Sequence, residues 1–129
     1  MNPTDRKYSK EHEWAKVESD GGVVVGITHY AQDQLGDVVY LDLPTPGTEL
    51  EQYNKLGEIE SVKAVSDVYS PIGGTVITVN TLLIDSPNLV NEDPFGEGWL
   101  VRIKPKDIDQ EMANLLTMEA YQDFLDTEA

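Results

Sequence analysis

"GEIESVKAVSDVYSPIGG", residues 57–74, places one lysine between two short runs of strand-forming residues and closes on a Pro-Gly corner. "EIESV" and "SDVYS" flank Lys63 closely enough to predict a β-hairpin with the lysine at its tip. The tip lacks the Asn-Gly or Gly-Gly pair that marks a tight hairpin turn. By pattern alone, Lys63 is therefore either an ordinary solvent-facing lysine or an amine offered to another protein's active site. An exposed loop tip is reachable, and a lysine amine can be acylated once deprotonated.

Outward from this hairpin the chain continues in short β-type runs, "DVVYLDL", "GTVITV" and "WLVRIK", separated by "PTPG", "SPIGG" and "DSPNLVNEDPFGEG". A weak internal echo links "DVVYLDLPTPGTEL" from Asp37 to "DVYSPIGGTVITV" from Asp67: each has a β run, a Pro-Gly corner and a second β run. Nearer the start, "EWAKVE" and "VVVGI" flank "SDGG", which predicts a hairpin turning at Asp20-Gly21. "THYAQDQLG" predicts a short helix capped by Thr28 and ended by Gly36, with Ala31 and Leu35 on one face. In the last stretch Asp107 and Gln110 resemble a capping box; Met112, Leu115 and Leu116 share a face, and Thr117 caps a second helix. The reading is a mainly β fold, a flattened sandwich or barrel of two similar halves. It forms a single domain over 1–129, with a helical segment at about 107–126 packed on it.

Composition narrows the function classes. Nine Lys and Arg face twenty-four Asp and Glu, a net charge of −15 over 129 residues. That field repels phosphate backbones and anionic lipid heads, so nucleic acid and membrane are not expected partners. It favours proteins with basic docking patches. With no cysteine there is no disulfide framework, thiolate metal site or cysteine nucleophile. The start "MNPTDRKYSKEHEW" lacks an apolar signal run, and no stretch has the length of a membrane span. A soluble, cytoplasmic protein is expected.

Catalytic patterns are weak. His12-Glu13 lacks the second histidine of a metalloprotease helix, since Lys16 stands there; His29 and Asp33 have no third ligand. No phosphate-cradling glycine run precedes a lysine, and no nucleophile elbow occurs. The acids around Glu11, Asp37, Glu58 and Asp93 read as a solvated face, and no metal is assigned.

The chain resembles the glycine cleavage H-protein family over nearly its whole length, through "KYSKEHEW", "VGITHYAQDQLGDVVYLDLPTPG", "GEIESVKAVSDVYSPIGGTVITVN" and "DSPNLVNEDPFGEGWL". "ESVKAVSD" followed by "SPIGG" is the most specific of these. The resemblance implies a lipoyl-carrier fold of barrel-sandwich hybrid type and lipoate held in an amide on Lys63. It also implies a non-catalytic role. Glycine decarboxylase loads an aminomethyl group on the arm, the aminomethyltransferase passes the one-carbon unit to tetrahydrofolate, and dihydrolipoyl dehydrogenase reoxidises the dithiol. By the same resemblance, Glu13 and Asp67 hold the ammonium of the loaded arm in a cleft. Glu60 and Gly74 belong to the surface read by lipoylating enzymes, Gly74 also serving a backbone turn. Glu11 stands where some members have Ser. A shuttle that visits several partners is expected to be a monomer.

Rivals remain at this level. Val62 and Ala64 stand where biotin carriers have methionines, and the linkers and catalytic domain of 2-oxoacid dehydrogenases are absent. An H-like protein that supplies lipoyl groups to other proteins, or an acidic binding module with an unmodified Lys63, fits the same residues.

Overall fold

In the computed structural model, which describes residues 2–128, the two β runs around Lys63 pair as a hairpin. In chain order the strands are β1 Lys7–Tyr8, β2 Glu13–Val17, β3 Val23–Ile27, β4 Val38–Asp42, β5 Glu49–Leu50, β6 Lys55–Ser61, β7 Val65–Tyr69, β8 Gly74–Val79 and β9 Val101–Pro105. The helices are α1 His29–Leu35, α2 Leu82–Asp85, α3 Leu89–Glu92, α4 Ile108–Ala113 and α5 Met118–Glu128. One antiparallel sheet runs β1-β2-β3-β9-β8-β5 and the other β4-β6-β7.

The fold is thus two antiparallel sheets that do not close into a barrel, with short helices at their margins. The internal echo has a structural meaning. Each copy begins in the small sheet, as β4 or β7, and ends in the large one, as β5 or β8. The Pro-Gly corners carry the chain across, because proline removes a ladder donor and ends a strand. β5 pairs directly with β8 in the large sheet, while in the small sheet β6 stands between β4 and β7, so the two copies meet in one sheet and are spaced by the lysine-bearing strand in the other.

Alternation along the strands supplies the core. Val23 and Val25 of β3, Val76 of β8 and Ile103 of β9 are buried against Ile59 and Val68 of the hairpin. Each such side chain contributes about 1.5–3 kcal/mol when fully buried. The small sheet is therefore held to the large one through the inward face of the lysine-bearing hairpin. A second cluster joins Tyr8, Trp14 and Tyr121, with Phe95 and Phe124 against it.

Local signals act as read at the first hairpin and at α1. Gly21 takes a φ of 88° and Asp20 Oδ1 accepts from Gly22 N–H at 3.0 Å. Thr28 Oγ1 accepts from Ala31 N–H, and Gly36 ends α1 with a φ of 80°. Thr117 Oγ1 likewise accepts from Ala120 N–H at the start of α5. Asp107 differs: it stands at the start of α4 but its side chain makes no capping bond. Glu111 instead accepts from Gly73 N–H at 2.7 Å, tying α4 to the second Pro-Gly corner.

Two features depart from the pattern. β6 starts at Lys55, ahead of "EIESV", and includes Gly57. A β-carbon there would stand 2.1 Å from Asp42 C=O, so this glycine admits β4 rather than breaking the strand. The long Pro- and Gly-containing connection before β9 holds α3, a single turn flanked by Pro87 and Pro94 and too short to show helical periodicity.

Candidate functional site

Only Val62, Lys63 and Ala64 separate β6 from β7. Ser61 closes this three-residue turn, which lacks the positive-φ residues that make a two-residue hairpin demand a glycine pair. Its Oγ accepts from Lys63 N–H at 3.3 Å and from Ala64 N–H at 3.1 Å, while Ser61 N–H donates to Ala64 C=O at 2.8 Å. A serine hydroxyl supplies the turn bonds that the backbone leaves unmade. Val62 N–H donates to Asp37 C=O at 3.0 Å, which ties the tip to the loop after α1. Lys63 is exposed and its aliphatic stem lies over Gly36.

Beside the tip opens a cleft of about 380 Å³. Tyr30, Ala31 and Leu35 of α1 form one wall, and Ala64, Val65 and Asp67 form the other. Glu11, His12 and Glu13 form its end. The cleft is reached from the residue next to Lys63, and its walls are largely apolar.

Glu13 is only 3% exposed. Its carboxyl accepts from Ser9 Oγ at 2.5 Å and from Tyr69 N–H at 3.2 Å. Burial nevertheless dominates these bonds and pushes its pKa up to about 8, so the group is protonated at neutral pH. Asp67 is exposed and paired: Lys55 Nζ lies 3.3 Å from its Oδ1 and 2.6 Å from Glu58 Oε2. His12 is pushed below its ordinary value by burial; its Nδ1 lies 2.8 Å from Tyr121 Oη. Tyr121 Oη lies 2.7 Å from Thr28 Oγ1, linking α5 to the cap of the cleft-wall helix.

The residues singled out in the sequence divide by place. Lys63, Glu13 and Asp67 gather around the cleft. Glu60 is exposed on β6, opposite Tyr40 and Val65. Gly74 lies in the other sheet, buried between β5 and β9, where a β-carbon would stand 2.1 Å from Lys104 C=O. The cleft wall from α1 and the loop at Gly36 were not legible as site elements, because their relation to Lys63 is entirely long-range.

Comparison with known proteins settles the family. A family model described as Glycine cleavage H-protein matches residues 6–128. The chain belongs to the glycine cleavage H-protein family. It is 53% identical over 120 residues to the "Probable glycine cleavage system H protein" of Thermococcus gammatolerans, covering 93% of this chain and 89% of that one. Against the "Glycine cleavage system H protein" of Thermus thermophilus it is 50% identical over 127 residues, 98% of each chain. The crystal structure of a glycine cleavage system H protein from Mycobacterium marinum superposes with a TM-score of 0.89 at 37% identity, covering 97% of this chain and 99% of the other. The H-protein resemblance is thus borne out, and so is the mainly β lipoyl-carrier fold, which takes the form of two sheets that do not close. Among the described residues of this family member, no helix is long and apolar enough to cross a membrane.

Proposed function

We propose that this chain carries lipoate in amide linkage on Lys63 and shuttles the aminomethyl group of glycine from glycine decarboxylase to the aminomethyltransferase, with dihydrolipoyl dehydrogenase restoring the oxidised arm. The observation that carries this reading is the exposed lysine held at a three-residue hairpin tip beside a cleft with largely apolar walls and an acidic end. The bound group supplies a reversible disulfide and a thiol able to hold a one-carbon unit. The protein supplies reach and shelter. A tethered group meets each docked partner at high effective concentration.

Several residues fit this work. Ser61 and Asp37 steady the tip while leaving the amine exposed. Tyr30, Ala31 and Leu35 offer an apolar wall that excludes water from a docked arm. Glu13 and Asp67 receive an ammonium at the cleft. A cation beside Glu13 favours its ionised form, and Glu13 releases a proton as the pair forms. Glu60 is offered to lipoylating enzymes; Gly74 serves that surface through the backbone of the second half. The chain works as one domain, a cytoplasmic monomer and non-catalytic carrier, and its acidic surface selects partners with basic docking patches.

The test is peptide mass analysis of protein from its native cells, followed by reconstitution with the three enzymes. A lipoyl mass increment on Lys63, with glycine cleavage lost in Lys63→Arg, is the expected result. An unmodified Lys63 in cells that contain lipoate and its attachment enzymes overturns the carrier reading. Lipoylation without glycine cleavage redirects it to lipoyl supply.

A further inference from the structure

Asn91, in α3, turns its whole amide toward the loop beneath Lys63. Its Oδ1 accepts from Val38 N–H at 2.8 Å. Its Nδ2 donates to Gly36 C=O at 2.8 Å and to Gln32 Oε1 at 3.0 Å. The neighbouring Val90 is fully buried in the main core, so α3 is a fixed base for these bonds.

Gly36 and Val38 flank Asp37, whose carbonyl accepts from Val62 N–H. Gly36 itself presents a bare backbone to the lysine: a β-carbon there would stand 3.3 Å from Lys63 Cε. One amide thus clamps both neighbours of the residue that holds the hairpin tip. The path runs from Asn91 through Gly36 and Val38 to Asp37, then Val62, then Lys63.

We propose that Asn91 is a positioning residue for acylation of Lys63, holding the Gly36–Val38 loop so that the hairpin tip presents its amine in one orientation to a lipoylating enzyme. The inference rests on Lys63 being the lipoyl attachment site. Acylation by a lipoyl adenylate forms the amide C–N bond, breaks the acyl C–O bond, expels AMP and releases two protons from the lysine ammonium. An enzyme gains from a pre-oriented nucleophile, because disorder in the attacking group lowers the population of productive complexes. A small reagent attacking from solvent makes no such demand.

The experiment uses the full chain, a lipoate ligase with lipoate and ATP, and Asn91→Ala. The expected result is a fall of about tenfold in kcat/KM for enzymatic lipoylation. Acetylation of Lys63 by an N-hydroxysuccinimide ester stays within about twofold of the wild type. Amide hydrogen exchange should quicken at Val62 and Val38 and stay unchanged at Ile103 in the large sheet. Asn91→Asp, which keeps the acceptor for Val38 and loses both donors, is the second variant should the alanine protein fail to fold; an intermediate loss with faster exchange at Val62 but not at Val38 supports the proposal. Unchanged lipoylation kinetics, equal loss with the small reagent, or unchanged exchange at Val62 overturns it. If wild-type Lys63 is not lipoylated at all, the carrier reading falls, and Val62 exchange still decides whether Asn91 positions the tip.

Discussion

The carboxyl of Glu13 accepts a hydrogen bond from Tyr69 N–H at 3.2 Å, joining β2 of the large sheet to β7 of the lysine-bearing hairpin. Burial holds this group protonated up to about pH 8, against an ordinary value of 4.5. The folded chain therefore keeps a proton that the unfolded chain releases, and the stabilisation present below about pH 4.5 is lost as pH rises toward 8. The loss is on the order of 3–5 kcal/mol. His12, pushed down by burial, opposes this trend below its own ordinary value, so the comparison must be differential. Urea denaturation at about pH 5 and pH 8 should show a fall for the wild type that Glu13→Gln does not share. Parallel profiles would mean that Glu13 is ionised in the fold.

Gly36 tests the platform under the lysine. Its φ of 80° is one that side-chain-bearing residues adopt at a cost, and the added carbon of Gly36→Ala would press on Lys63 Cε. A loss of about 1–2 kcal/mol is expected, with a resonance shift at Lys63 and Ala64 in an amide spectrum. Stability equal to the wild type would show that the loop relaxes freely.

Gly74 and Glu60 separate fold from recognition. Gly74→Ala puts a carbon 2.1 Å from Lys104 C=O at a φ of 147°, so a loss of about 3 kcal/mol or more is expected. Any fall in its lipoylation should follow the unfolded fraction. Glu60→Gln is exposed and should change stability by less than about 0.5 kcal/mol while slowing the lipoylating enzyme. Normal lipoylation of a folded Glu60→Gln protein removes Glu60 from that surface.

Tyr121 ties the C-terminal helix to the cleft. Its ring stacks on Tyr8 at 4.8 Å, and its hydroxyl meets both His12 and Thr28. Tyr121→Phe keeps the stacking and removes the hydroxyl, leaving buried Thr28 and half-buried His12 short of a bond; about 1–3 kcal/mol should be lost in thermal or urea denaturation. A neutral result would indicate that His12 and Thr28 find each other or water instead.

The local parts of this molecule could be read from the chain. Thr28 and Gly36 bracket α1, Asp20-Gly21 turns the first hairpin, and the alternating runs from Val38 to Ile103 give the strands. These signals act between near neighbours, through caps, turn dihedrals and side-chain alternation. "ESVKAVSD" marked Lys63 as the residue to watch. Gly57, by contrast, lies just outside the run "EIESV" and is a strand residue, because what decides its role is the carbonyl of Asp42 on another strand.

What only the tertiary structure decided is the company Lys63 keeps. The chain names the lysine, its hairpin and its acidic surroundings. It does not show that Asn91 grips the loop under the tip, that Glu13 is buried enough to stay protonated, or that α1 forms a cleft wall. Each of these depends on groups distant in sequence and adjacent in space. Desolvation, long-range hydrogen bonding and packing act on that adjacency, and it exists only after the two sheets have met.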